Sequence, residues 1–453
     1  MNAHVSGLSG TGQDPSSAQV AEREAADAGR AGGDRPPRVV AASLLGTTVE
    51  YYDFAIYGFM ATFLAVNFFP AGDETAALLT TFGTFAVAFL VRLPGGIVFG
   101  HIGDRLGRKR ALSITIIMMS GATALIGLAP SYATLGIWAA AVLIFCRCVQ
   151  GFSAGGEYSG AVAFVAENAP RHQRGRHTSM VSVGTYIGTL LASVMALVLT
   201  ALFPTEAIGQ WLWRIPFLLS VPIGVIGFWI RSRLDDTPDF KALREEQAIE
   251  SAPMREVLRN HKRLVLQLVG FNGTLTGGYY ISTIYGSTYL QTVGDHSPSF
   301  AFASTSVALV VGGLMYPLSG HLGDRFGRRP VILTGSVAAA FLGFPLFALM
   351  AYGGPVWALL GHVVLCAVIA LIGGSSFVTF VELLRARIRY TGMALGLNLA
   401  NMLFGGTAPF IAVLLISSTG YDLSPAAFYC FCAVITLVAA VSIPETSGKK
   451  LEL

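Results

Sequence analysis

Gly100-His-Ile-Gly-Asp104-Arg105-Leu-Gly107-Arg108-Lys109 is written a second time, nearly unchanged, as Gly320-His-Leu-Gly-Asp324-Arg325-Phe-Gly327-Arg328-Arg329. The copies start 220 residues apart (100 against 320), and each lies between two long apolar stretches. Each is followed, one stretch later, by an acid and then bases: Glu167 with Arg171 and Arg174, and Glu382 with Arg385 and Arg389. A duplicated unit is the simplest cause. The motif has a mechanical sense. Glycines permit a tight turn and close helix contact, Asp104 can meet a helix N-terminus, and Arg105 and Arg108 can reach Glu167 or the partner half. With Asp324, Arg325, Arg328 and Glu382 as the second copy, such a cluster would latch one side of a two-state molecule and release it in the other state. A basic loop that only sets topology is the plainer reading, and two copies at matching places weigh against it.

The stretches around the repeats set the class. Of 453 residues, 53% are hydrophobic and only 12% charged, about half the charge of an ordinary soluble chain. Too few charged side chains exist to cover several water-facing domains, and 29 Phe and 15 Tyr argue against disorder. About 20 apolar residues in helix cross a bilayer. Twelve candidates follow from Val39: 39–68, 75–101, 111–130, 135–166, 178–203, 212–230, 263–290, 299–321, 330–351, 355–383, 390–418 and 424–443. With both ends in the cytoplasm, 27 of the 30 Lys and Arg fall at inner ends, and the outer loops hold none; Arg92, Arg147 and Arg214 lie within spans. Flipping the chain would invert this bias. The expected fold is therefore an all-α membrane protein of twelve transmembrane helices in two pseudo-symmetric six-helix bundles. Its parts are a disordered tail 1–38, bundles 39–230 and 263–445, a cytoplasmic linker 231–262 and a short tail 446–453. The polar head 1–38 has no secretory signal pattern. The five cysteines sit in apolar stretches and read as small buried hydrophobes.

Five ionisable residues fall deep within spans: Glu50 and Asp53 in span 1, Arg92 in span 2, Arg147 and Glu157 in span 4. Left unpaired they would cost on the order of 10 kcal/mol together, so they should face an internal cavity and pair. Spacing supports shared faces: Glu50, Asp53 and Tyr57 follow i, i+3, i+7, and Arg147, Gln150 and Glu157 follow i, i+3, i+10. The second half has no comparable charge. It offers Asn272, Thr276, Tyr279, Tyr280, Thr283 and Tyr285 in span 7, with Asn398 and Asn401 in span 11. A neutral polar wall facing a charged one would orient a small polar acid. His362 in span 10 reads as a core histidine first and a titrating group second. Gly96–Gly100, Gly151–Gly155 and Gly392–Gly396 have close-packing spacing.

The paired loops, the six-plus-six layout and the long central loop resemble the major facilitator superfamily. More narrowly, four runs resemble its metabolite:proton symporter family: Glu50-Tyr51-Tyr52-Asp53-Phe54 with Tyr57-Gly58; Phe89-Leu90-Val91-Arg92-Leu93-Pro94-Gly95-Gly96; Arg147-Cys-Val-Gln150-Gly151-Phe152 with Gly155-Gly156-Glu157-Tyr158; and Trp213-Arg214-Ile215-Pro216-Phe217. The likeness runs over about residues 40–445. Leu93 departs from it, standing where a proline is expected. The resemblance implies proton-driven uptake of citrate, 2-oxoglutarate and other dicarboxylates, shikimate-like acids, or proline and betaine. Osmosensing carriers of proline and betaine end in a coiled coil, whereas this sequence stops about ten residues past span 12, which lowers that option.

The resemblance also implies that spans 1 and 4 line the central cavity and that Asp53 and Arg147 form the proton-coupling pair. Asp53 would carry the proton, released while Arg147 is beside it and bound when substrate draws Arg147 away. Glu50 would share the proton or fix Arg92, and Arg92 would fork onto a substrate carboxylate or form a structural pair with Glu50. Tyr57, Gln150, Glu157, Asn272, Tyr279, Asn398 and Asn401 complete the expected substrate contacts. The expected function is a proton-coupled secondary transporter importing a small organic acid, such as a di- or tricarboxylate, 2-oxoglutarate or a shikimate-like acid, by alternating access. The alternatives are a proline/betaine-type zwitterion:proton symporter or an efflux antiporter of the same fold. No nucleotide-binding loop, HExxH or catalytic triad is present, so an enzyme is not expected. The expected partners are substrate, H+ and the lipid bilayer, without cofactor, metal or nucleic acid, for a monomer in the cell inner membrane.

Overall fold

The computed structural model describes residues 36–70, 72–106, 108–155, 157–232, 259–449 and 451. Nearly all of the 1–38 tail, most of the 231–262 linker, and the side chains of Asp104, Arg105, Arg108 and Glu157 lie outside the described residues.

The described residues make twelve helical passages. Eight passages are long and apolar enough to cross a membrane: Glu74–Phe99, Ile137–Glu167, Arg171–Leu202, Pro298–Phe326, Arg328–Tyr352, Pro355–Leu383, Ile388–Thr419 and Ser424–Val441. These are spans 2, 4, 5 and 8 to 12. The other four have physical reasons to fall short. Span 1 is Pro36–Phe59 continued by Ala61–Phe68, and carries Glu50 and Asp53. Span 3, Arg108–Leu128, has a basic first turn and an apolar part of only Ser113–Leu128. Span 6 is bent by 42° between Thr205–Leu212 and Arg214–Trp229. Span 7 runs Lys262–Phe271, a π-helical turn Thr274–Gly278, then Tyr279–Thr292, and its hydroxyls dilute its apolar character. Span 11 has a second π turn at Asn401–Gly405 packed on that of span 7. Such turns re-aim side chains inside a helix and favour functional sites.

Glycine lets the helices touch backbone to backbone. In the first half, a Cβ on Gly151 would fall on Ala88, on Gly95 on Phe152, and on Gly155 on Arg92 and Gly96, so spans 2 and 4 are welded together. Spans 8 and 10 repeat the device, Gly374 meeting Tyr316 and Gly320. The halves meet along spans 5 and 8, where Gly175 and Gly320 abut and Tyr186 fills the face of Gly312. Gly327 follows span 8 with φ +101°, a conformation that a side chain would strain.

Candidate functional site

The end bearing the repeated loops is tied across the halves by buried ions. Asp324 accepts the backbone N–H of Gly175 at 3.0 Å and of Arg176 at 2.9 Å, capping the first turn of span 5 from the opposite half. It also pairs with Arg328 at 2.6 Å. Glu382 holds Arg174 at 3.2 Å and Arg328 at 3.5 Å. In the reciprocal direction Arg389 donates to Glu167 at 2.7 Å. Six of these residues, Asp324, Arg328, Glu382, Glu167, Arg174 and Arg389, are members of the expected gate or the bases written after it. Arg325 points outward with its guanidinium over Phe326.

One member escaped sequence reasoning. Glu445, just past span 12, accepts the N–H groups of Arg328, Arg329, Thr446 and Ser447 at 2.8–3.0 Å. Thr446 Oγ1 then donates to Glu382 at 2.8 Å. Partial burial alone would raise the Glu445 carboxyl; the four N–H donors outweigh it and hold the group below its ordinary value. The usable signal was an acid in Pro444-Glu445-Thr446-Ser447 at an otherwise basic chain end.

Midway along the first half lies a second charged cluster. Arg92 pairs with Glu50 at 3.0 Å, both buried, and its guanidinium lies 4.3 Å from the Phe54 ring centre and 4.9 Å from that of Phe89. Arg147 donates to Gln150 Oε1 at 2.8 Å and to the Phe85 carbonyl at 3.5 Å. Tyr57, Phe85 and Phe54 face its guanidinium at 4.2–5.0 Å. Gln150 in turn donates to Thr123 at 2.7 Å. Asp53 is completely buried, yet in this conformation it is not paired with Arg147. Its Oδ2 accepts from Ser120 at 3.4 Å and its Oδ1 has no hydrogen-bond partner. Tyr57 donates to the Thr81 carbonyl.

The cavity lies elsewhere, between the halves. Tyr51, Tyr158, Ser182 and Thr185 wall it from the first half, and Thr276, Tyr279, Tyr280, Tyr316, Phe377 and Asn401 from the second, with Leu275 and Leu397. Its lining contains no charged side chain. Of the expected substrate contacts, Tyr279 and Asn401 reach it. Arg92, Arg147, Gln150, Tyr57, Asn272 and Asn398 are not among its lining. Asn272 donates to Leu268 within its own helix. Asn398 reaches across the halves to the Gly155 carbonyl at 2.5 Å, where span 4 breaks between Ile137–Ser153 and Glu157–Asn168. Away from the repeat-loop end the halves close again, Ile284 filling the face of Gly58 and Phe59 meeting Phe302 at 5.9 Å between ring centres. His362 is a core residue: its Nε2 donates to the Ser282 carbonyl at 2.8 Å, and its Nδ1 lies 3.0 Å from the Ser304 hydroxyl. Arg214 anchors span 6 by donating to the Ala129 carbonyl at 3.0 Å.

Residues 43–409 match the sequence profile of the Major Facilitator Superfamily. The chain belongs to this superfamily. The proline/betaine transporter of Salmonella typhimurium is 34% identical over 92% of this chain and 85% of its own length. The shikimate transporter of Escherichia coli K12 is 35% identical, over 84% of this chain and 88% of its own. Among solved structures, that of the superfamily's proton:xylose symporter XylE superposes with a TM-score of 0.74 at 18% identity, covering 92% of this chain and 97% of that one. That likeness confirms the fold, the superfamily's twelve helices in two sixes; the family match and the relatives make the chain a multi-pass membrane transporter.

Proposed function

We propose that the protein imports a small zwitterion of the proline/betaine kind together with a proton, across the cell inner membrane, with both termini in the cytoplasm. The supporting observation is the uncharged, tyrosine-rich wall of the cavity. A di- or tricarboxylate needs cations to replace its hydration, because a buried unpaired charge is very costly. Arg92 and Arg147 are the only deep cations in the described first half, and both are committed elsewhere. A zwitterion brings its own counter-charge and asks less of the wall. This reading departs from the organic-acid expectation and takes up its alternative, in agreement with the first relative's name.

Asp53 carries the proton in this reading. It is buried, shares its shell with the Arg147–Gln150–Thr123 chain, and keeps one oxygen unpartnered. Arg147 modulates it by moving toward or away from it. The protein works by alternating access, the ion latch at the repeat loops opening the cytoplasmic side, and the contacts at Gly58 and Phe59 opening the other. The test is uptake into proteoliposomes of labelled glycine betaine, proline, shikimate and citrate, with and without an inward proton gradient. Gradient-driven accumulation of betaine or proline is expected. Accumulation of citrate alone, or indifference to the gradient, would overturn the reading.

A further inference from the structure

Five tyrosines converge on the cavity, and their geometry is that of perpendicular walls. Tyr51 meets Tyr279 at 6.3 Å and 83°, and Tyr158 at 6.3 Å and 60°. Tyr279 meets Tyr280 at 5.2 Å and 86°. Two of these rings are pinned by their tips: the Tyr279 hydroxyl bonds Thr189 at 2.7 Å across the halves, and the Tyr158 hydroxyl bonds Ser182 at 2.8 Å. What they leave for a ligand is ring surface.

We infer that this cage binds a methylated ammonium group by cation–π attraction, with the Tyr280 and Thr185 hydroxyls receiving the ligand's carboxylate. The inference rests on the zwitterion reading above and specifies its chemistry. A primary or secondary ammonium carries N–H donors that are best met by a carboxylate, and the lining has no carboxylate. A trimethylammonium group has no N–H to satisfy, and the aromatic face is its natural partner. The second observation is independent of the rings. Tyr280 Oη and Thr185 Oγ1 are buried in the lining, 2% and 7% exposed as residues, and neither makes a well-formed hydrogen bond within the protein, their neighbours being the Tyr51 and Tyr158 hydroxyls. Poorly satisfied buried hydroxyls are expensive; here they are two donors on the same lining, which a carboxylate would satisfy.

The experiment separates cation from shape. Glycine betaine and 3,3-dimethylbutanoate have the same outline, but the second has a neutral carbon in place of nitrogen. In competition against labelled glycine betaine in proteoliposomes, the neutral analogue is expected to be at least about tenfold weaker. In Tyr51→Phe, which keeps the face, the betaine KM is expected to stay within about threefold of the parent. In Tyr51→Leu it should rise about tenfold while the proline KM moves less. Equal competition by the neutral analogue, or an equal loss for betaine and proline in Tyr51→Leu, would overturn the cage and leave proton-coupled zwitterion uptake standing. Loss of all gradient-driven uptake of both compounds by the parent protein would instead sink the function itself.

Discussion

The interior of the first half holds Glu50, Asp53, Arg92 and Arg147, all buried; the interior of the second holds hydroxyls, amides and two π turns. Yet the repeat-loop ends of the halves are built from the same parts, down to an acid on the fourth helix of each six that takes a base of the other half: Glu167 takes Arg389 and Glu382 takes Arg174, though only Glu382 is buried. The duplicated unit thus retained its latch and divided its middle. Ionic chemistry went to one half, and neutral shape recognition to the seam and the other. Charge is concentrated where it can be shielded by neighbouring helices, and the proposed ligand site lies at the seam between the halves.

The comparison can be broken most sharply at Asp53. Asp53→Asn is expected to abolish accumulation against a gradient while exchange of labelled for unlabelled substrate continues; unchanged accumulation would remove Asp53 from proton coupling. Next comes the Glu50–Arg92 pair. Arg92→Met removes the ion-pair partner of a buried carboxylate, so it should lower unfolding stability by up to about 3–5 kcal/mol, and adding Glu50→Gln should restore part of that, read by thermal unfolding in detergent. No recovery in the double variant would mean that Arg92 has partners beyond Glu50. Glu382→Gln weakens the latch from one half and Glu167→Gln from the other. Both should increase labelling of a cysteine placed in the cavity from the repeat-loop side, and Glu382→Gln more, because Glu382 holds Arg174, Arg328 and Thr446 at once. The smallest effect belongs to Glu445. Its carboxyl titrates below the ordinary range in the folded protein, so its contribution is present at neutral pH and lost as acidification passes through the folded-state value. Glu445→Gln should unfold somewhat earlier than the parent at pH 7, with the gap closing as the pH falls toward and below about 4; a gap independent of pH would show that charge is not its source.

Much of this was legible beforehand because it is written in forced choices. A bilayer demands apolar stretches of a set length, and a duplicated latch repeats its letters. Ions within spans stand out because they are costly, and Glu50 with Arg92 was paired correctly as one of two options. Where a charged face points was not legible. The i, i+3, i+7 spacing puts Glu50, Asp53 and Tyr57 on one side of span 1, but that side meets Ser120 and Thr81 of its own half rather than the cavity. Conversely Tyr51, Tyr158 and Tyr316 pass in sequence for ordinary core aromatics, and only the crossing of spans 1, 4, 5, 7 and 8 turns them into one chamber. Asn398 shows the same limit. Its polarity was noticed, but its partner is a carbonyl freed by a break in a helix 243 positions away.

The glycine weld between spans 2 and 4 has a kinetic meaning. Arg92 and Arg147 are mounted on one plank, so rocking of the halves carries both guanidiniums without changing the distance between their backbones. Under the proposed cycle, an exchange of partners at Asp53 would thus be a side-chain swing against this pair, short in reach beside any movement between the halves.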